Sequence, residues 1–188
     1  MKYNKTYTEN LIVPIIDASE ASTWEEAVLE WEICDCEEDE SAQTSCMCGH
    51  EGIRYLFQIH NKINGNTFGP IGSECIKKFG RSDLSSKVDL QEQMFKLYHA
   101  LDHGWRIELS PLFFSRKLLA LLWGLDVITH SDCEFMLKMF NKRNKNDITT
   151  MQQRKINAII AYSIKPFLAQ RLAAKRRSAP AKAASSCA

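Results

Sequence analysis

Three cysteines and a histidine carry the densest chemistry in this sequence: Cys46-Met47-Cys48-Gly49-His50, then Gly72-Ser73-Glu74-Cys75. Thiolates and a neutral imidazole are the donors that complete a tetrahedron around Zn²⁺. Cys46, Cys48, His50 and Cys75 are therefore the expected ligands. Cys34 and Cys36 alternate along one segment, so a strand there would turn both the same way and offer another fourth donor. Of the remaining cysteines, Cys133 falls in a helical pattern and reads as a small buried residue. Cys187 lies close to the C-terminus.

A metal held this way either catalyses or staples. Zinc catalysis needs an open coordination position beside an acid or base, whereas a full set of Cys and His donors closes the sphere. The pattern points to a structural site. His60-Asn61 invites comparison with hairpin-and-helix nucleases, but the helix that should add a His or Asn, residues 74–79, offers only Glu74 and lysines. The chain also lacks a Gly-rich phosphate loop, a His-Glu-x-x-His helix and a Gly-x-Ser-x-Gly turn, so a non-enzymatic protein is expected.

The elements that must position these residues follow from local pattern. Arg54 to His60 alternate, with Tyr55, Phe57 and Ile59 on one face, and Asn64-Gly65 supplies the turn of a β-hairpin ending in Thr67-Phe68. Ser73 is placed to cap a short helix that Gly80 stops, setting Cys75 in its first turn. A Cys-Gly turn, a hairpin and a Cys at the next helix start is the order of a treble-clef unit. Upstream, the β-branched run Leu11–Ile16 predicts a short strand. Ser22 or Thr23 opens a helix with Trp24, Ala27, Val28 and Trp31 on its inner face and Glu25, Glu26 and Glu30 outside. Residues 34–41 read as a strand end and a solvated acidic loop.

Beyond residue 82 the pattern is helical. Helices are predicted at about 87–101, from Ser110-Pro111 to Gly124, from Ser131 with Glu134 as capping partner, and from Thr149 or Thr150 with Gln152 or Gln153. In the last, Ile156, Ile159, Ile160, Ile164, Phe167 and Leu168 mark a buried stripe that Pro166 should kink or restart. The expected organisation is α+β: a zinc-stapled unit over 1–82, a helical region over 83–177 and a disordered, low-complexity tail over 178–188.

The chain has 188 residues and a net charge of +1, but the balance conceals a division. From Thr6 to Ile53 there are thirteen acids and no Lys or Arg. From Met136 onward, twelve basic residues stand against Asp147 alone, a balance of +11 that leaves −10 for residues 1–135. Lys138, Lys142, Arg143, Lys145, Arg154, Lys155, Arg171, Lys175, Arg176 and Arg177 could line one face and neutralise phosphates. No base-reading module accompanies them, so backbone contact with nucleic acid, or with a nucleoprotein complex, is the expected partner chemistry. The opposed possibilities are that these cations only solubilise helices or pair within the molecule, and that acids 37–40 meet a basic partner. No segment has the roughly 20 apolar residues of a membrane helix and no secretory signal opens the chain, so a cytoplasmic location is expected.

The residues Glu30-Trp31, Cys46-Met-Cys48-Gly, Ile59-His-Asn61, Asn64-Gly-Asn66 and Pro70-Ile-Gly-Ser73-Glu-Cys75-Ile-Lys-Lys-Phe79-Gly, with Phe140-Asn-Lys-Arg-Asn-Lys and Ile164-Lys-Pro-Phe167 later, resemble a family of small phage and mobile-element proteins. Gly-Ser-x-Cys-Ile-Lys-Lys-Phe is the most distinctive part. The resemblance makes Cys46, Cys48 and Cys75 the secure ligands; His50, Cys34 and Cys36 do not belong firmly to its pattern. It implies a non-enzymatic protein that binds nucleic acid or disables a host nucleoprotein, as anti-CRISPR inhibitors do. Three readings follow: a zinc-stapled nucleic-acid binder, an inhibitor acting through its acidic N-terminal surface on a defence nuclease, and a metal-dependent nuclease.

Overall fold

The structure is a computed structural model and describes residues 7–178. It is α+β, with a three-stranded antiparallel sheet near the N-terminus and helices over the remainder. The chain divides into two compact units at Glu92/Gln93, a point inside one long helix.

The first unit opens with helix, not with the strand expected at Leu11–Ile16. A π-helical turn, Thr8–Ile12, runs into α1, Val13–Asp17. Leu11, Ile12 and Ile15 are buried at helical spacing, and Pro14 sits in the first turn of α1. Burial of one face has overridden the β preference of the branched residues. Helix α2, Trp24–Glu30, follows Thr23 as its N-cap.

Strand β1, Trp31–Glu38, pairs antiparallel with β2, Tyr55–Asn61, which pairs with β3, Thr67–Ile71. The predicted hairpin is thus the β2–β3 pair, and Gly65 takes the left-handed φ of +76° that its turn requires. Phe57, Ile59 and Ile71 are fully buried with Trp31, whose ring packs edge-on against Phe68 at 5.6 Å. Each such side chain contributes about 1.5–3 kcal/mol of burial. The register of β1 against β2 shifts between Ile33 and Asp35. This bulge breaks the strict alternation, so Cys34 is exposed while Cys36 is buried; the two do not face the same way.

Glu30 is a further departure in this unit. It is buried rather than on an outer face, and its carboxylate accepts from Asn61 Nδ2 at 2.6 Å and from the backbone N–H groups of Glu20 and Ala21. Helix α3, Ser73–Lys77, is preceded by Gly72 as N-cap, so Ser73 is its first residue and not its cap. Gly80 ends the following turn at φ +73°.

Helix α4, Ser82–Asp102, crosses into the second unit. There, α5 spans Arg116–Gly124, capped by Ser115 Oγ on the N–H of Leu118; the preceding Ser110–Phe114 segment forms turns rather than its first turn. Helix α6, His130–Phe140, is capped two residues earlier than Ser131, by Thr129, whose hydroxyl accepts from the N–H of Asp132. Helix α7, Thr150–Ile159, carries a complete capping box between Thr149 and Gln152. A π-helical segment, Ile160–Ile164, joins it to α8, Lys165–Ser178, so the helix restarts just before Pro166. Ile156, Ile159, Ile160, Ile164 and Leu168 are all buried, with Phe167 half-buried. Residues 179–188, most of the expected tail, lie outside the described residues.

Candidate metal centre

Two backbone segments bring the thiols together. After the acidic loop, Thr44 and Ile53 form an isolated antiparallel bridge that closes residues 45–52 into a compact turn. Within it the N–H of Cys46 donates to the carbonyl of His50 at 2.8 Å and that of Gly49 to the carbonyl of Cys46 at 2.8 Å. Gly49 has φ +89°, a conformation that a side chain resists. The N–H of Met47 donates to the carbonyl of Pro70, tying this turn to the end of β3. Cys75 then enters from α3.

Cys46, Cys48 and Cys75 have their sulfurs within 4.8 Å of one another. Cys46 and Cys75 lie 3.7 Å apart, Cys75 and Cys48 3.4 Å. Four sulfurs at about 2.3 Å from a tetrahedral zinc stand about 3.8 Å from each other, so the cluster is near the spacing that coordination demands. The Gly72 N–H donates to Cys46 Sγ at 3.3 Å, the kind of contact that stabilises a bound thiolate. The backbone of the other two is held as well: Tyr7 donates its hydroxyl to the Cys75 carbonyl at 3.4 Å, and Asn10 Nδ2 to the Cys48 carbonyl at 3.5 Å. Neither contact had a signal in the sequence, because both residues lie far upstream, on the segment read as leading into a strand.

The Cys46 and Cys75 thiols are shifted in opposite directions. The hydrogen bond shared with the Cys75 thiol holds Cys46 well below the usual thiol range, burial opposes that, and the Gly72 N–H assists it. Cys75 is pushed up by the same hydrogen bond with Cys46, with burial and the neighbouring sulfur charges adding to it. A soft divalent cation held by Cys46, Cys48 and Cys75 would take the place of the shared proton and relieve this competition. The donor set fits a thiophilic transition metal and does not fit Mg²⁺ or Ca²⁺, which take oxygen.

The other sequence-expected donors do not join the cluster of three sulfurs. His50 is exposed; its carbonyl, not its ring, takes part in the turn. Among the described residues the sulfur cluster includes no fourth His, Cys, Asp or Glu. Cys34 Sγ contacts the Gln58 carbonyl across on β2, and Cys36 Sγ the Glu37 carbonyl on β1. Cys133 is buried on α6 against the Leu119 carbonyl, and Cys187 lies outside the described residues. His60 stands opposite Glu32 and Thr67 in the sheet, and its Nδ1 is buried with no hydrogen-bond partner among the described residues.

The acids at 37–40 are not equivalent. Asp39 accepts from the hydroxyls of Ser41 and Thr44 and from the N–H groups of Ser41, Gln43 and Thr44. The Ser41 and Thr44 hydroxyls, against a smaller effect of burial, hold its carboxyl well below the usual range. Glu38 pairs with Arg54 at 2.7 Å, while Glu37 and Glu40 are exposed.

The basic residues of the second unit also divide. Lys142 Nζ donates to the Asp147 carbonyl at 2.6 Å and to Gln152, and Lys145 Nζ to the carbonyls of Phe140 and Met139 at the end of α6. Cations at a helix C-terminus are stabilising there. Lys155 pairs with Asp132 at 3.3 Å and covers the Phe135 ring; Arg171 lies over Phe167. Lys138, Arg143 and Arg154 are exposed and form no ion pair among the described residues. Lys175, Arg176 and Arg177 continue α8, but their side chains lie outside the described residues. No helix among the described residues is long and apolar enough to cross a membrane.

Compared with known proteins, the chain matches no family model, no curated protein and no solved structure.

Proposed function

We propose that the protein is a zinc-stapled, non-catalytic nucleic-acid-binding protein. The observation that carries the zinc assignment is the convergence of Cys46, Cys48 and Cys75 at 3.4 and 3.7 Å, from positions up to 29 residues apart. Apposed thiols at this spacing repel when ionised, and a shared thiophilic cation turns that repulsion into cross-linking. The arrangement of turn, hairpin and short helix supports a treble-clef reading of the unit. Zinc there ties the 45–52 turn to α3, and thereby α3 to the sheet.

The nucleic-acid reading rests on the second unit. Lys138, Arg143 and Arg154 are exposed cations with no ion pair among the described residues, and Tyr162 on the π-helical segment is 83% exposed. Exposed cations suit phosphates, and an exposed ring suits stacking on an unpaired base. This favours a single strand held through its backbone with little sequence readout. The test is a gel shift with single-stranded and duplex oligonucleotides across salt concentrations. Binding that weakens steeply with salt supports the proposal; no binding at low salt, or salt-independent binding, contradicts it.

A second reading has one observation in its favour. Asp39 gathers five hydrogen bonds into one carboxylate, so the loop that carries Glu40, directly after Glu37 at the end of β1, is preorganised. Such a surface suits the basic channel of a nucleoprotein, as the inhibitor reading requires. Glu37→Lys with Glu40→Lys abolishes inhibition of a target nuclease under that reading and leaves oligonucleotide binding intact under the first.

A further inference from the structure

The metal proposed above ties the 45–52 turn to α3 through sulfur, and two of those sulfurs are placed to make the same tie without it. Cys48 Sγ, on the turn, lies 3.4 Å from Cys75 Sγ, on α3. Cys46 Sγ stands farther from Cys75, at 3.7 Å, and is engaged by the N–H of Gly72 at 3.3 Å. All three sulfurs line one cavity of 630 Å³. A water takes up about 30 Å³ of liquid volume, so a peroxide of two oxygens is small enough to reach the thiols through this space.

Resting on the zinc assignment above, we infer that Cys48 and Cys75 are an oxidisable pair, which a peroxide converts to a disulfide that expels the zinc and takes over its cross-link. The two sulfurs are already in contact, so a sulfenic acid formed on either meets the thiol that resolves it. The new bond joins residues 27 positions apart and connects the same turn and helix that the metal connects, so it restrains the unfolded chain where zinc did. Peroxide is the sole oxidant. One thiolate attacks a peroxide oxygen, giving S–OH and a hydroxide that takes a proton and leaves as water. The second sulfur then attacks the S–OH sulfur, forming S–S and expelling another hydroxide, also protonated to water. Two electrons pass from sulfur to peroxide, and zinc departs as Zn²⁺ with its oxidation state unchanged. Cys133 Sγ meets the Leu119 carbonyl and Cys34 Sγ the Gln58 carbonyl, so neither has a resolving sulfur at that contact.

The experiment treats full-length, zinc-loaded protein, freed of reductant, with hydrogen peroxide. Zinc release is followed with a chromophoric chelator, the linkage is located by tandem mass spectrometry, and Tm is measured in excess EDTA. The inference expects about one zinc released per chain as a Cys48–Cys75 disulfide forms, with both changes reversed by dithiothreitol and added zinc. It expects the oxidised protein in EDTA to melt several degrees above the reduced protein in EDTA, because a covalent link stands in for the lost metal. Linkage of Cys75 to Cys46, zinc release without a Cys48–Cys75 disulfide, or an oxidised Tm no higher than the reduced one would each overturn the inference. Zinc that binds and survives peroxide would overturn it while leaving the zinc assignment intact. Protein that takes up no zinc before peroxide is added would remove that assignment, and the inference with it.

Discussion

Asn61 Nδ2 donates to Glu30 Oε2 at 2.6 Å inside the first unit, joining the end of β2 to the end of α2. Asn61 is 1% exposed and Glu30 7%, so water does not compete for this bond. Asn61 Oδ1 meanwhile accepts from the N–H of Ile63, fixing the hairpin turn. The pair positions the turn and the strand order from which the thiol cluster is built. Glu30→Ala and Asn61→Ala are each expected to lower Tm by several degrees, with strongly non-additive effects in the double variant. Additive effects, or a Tm unchanged in either single variant, would contradict the role given to the pair.

The same carboxylate, with Asp39, contributes to the acid sensitivity of the unit. Burial acts to raise the Glu30 pKa, but the hydrogen bonds from Asn61, Glu20 and Ala21 outweigh it and hold it below the ordinary 4.5. Asp39 is likewise lowered from 3.8. A carboxylate depressed in the folded state contributes stability that is present above its unfolded value and lost as pH falls through the folded one. Chemical denaturation is therefore expected to show stability constant above about pH 5 and falling below pH 4.5, with Asp39→Asn flattening the limb. A wild-type profile that is flat from pH 5 to pH 3 would contradict this.

Close approach of backbone explains one glycine. A Cβ on Gly69 would lie 2.9 Å from the Phe57 carbonyl oxygen and 3.2 Å from Gln58 Cα, where β2 and β3 shift register. Backbone cannot rotate away as a flexible side chain can. Gly69→Ala is expected to cost about 1–3 kcal/mol in denaturant unfolding. A change below about 0.5 kcal/mol would show that the strands relax there.

Binding of nucleic acid should discriminate among the basic residues. Replacing Lys138, Arg143 and Arg154 together by Ala is expected to reduce the slope of log K against log salt by about 2–3. Tyr162→Ala should weaken single-strand binding by about 1–3 kcal/mol and duplex binding little. Lys142→Ala and Lys145→Ala, which remove contacts to backbone carbonyls, should lower Tm and leave the salt slope unchanged. A slope that falls equally in all of these variants would contradict the division.

The hairpin and the capping box were legible because their signals are local: alternation at 55–59, Asn64-Gly65, and Thr149 three residues before Gln152. The three thiols were legible because metal chemistry limits which residues serve. What failed was tertiary. Leu11–Ile16 has strand-forming side chains, yet Leu11, Ile12 and Ile15 share a buried helical face. Glu30 looks solvated until Asn61, 31 residues away, is brought to it. The bulge between Ile33 and Asp35 leaves no mark in composition, but it separates the fates of Cys34 and Cys36. His50 is two residues from Cys48 in sequence, but its ring is not among the donors the turn brings together.

The most direct test of the central claim is the metal content of purified full-length protein, by elemental analysis after exhaustive dialysis. The account predicts about one zinc per chain in the wild type, with Cys46→Ser, Cys48→Ser and Cys75→Ser each losing it and unfolding at lower temperature, and Cys133→Ser retaining it. Folded wild-type protein free of transition metal, with a Tm unmoved by added zinc or by a chelator, would contradict it.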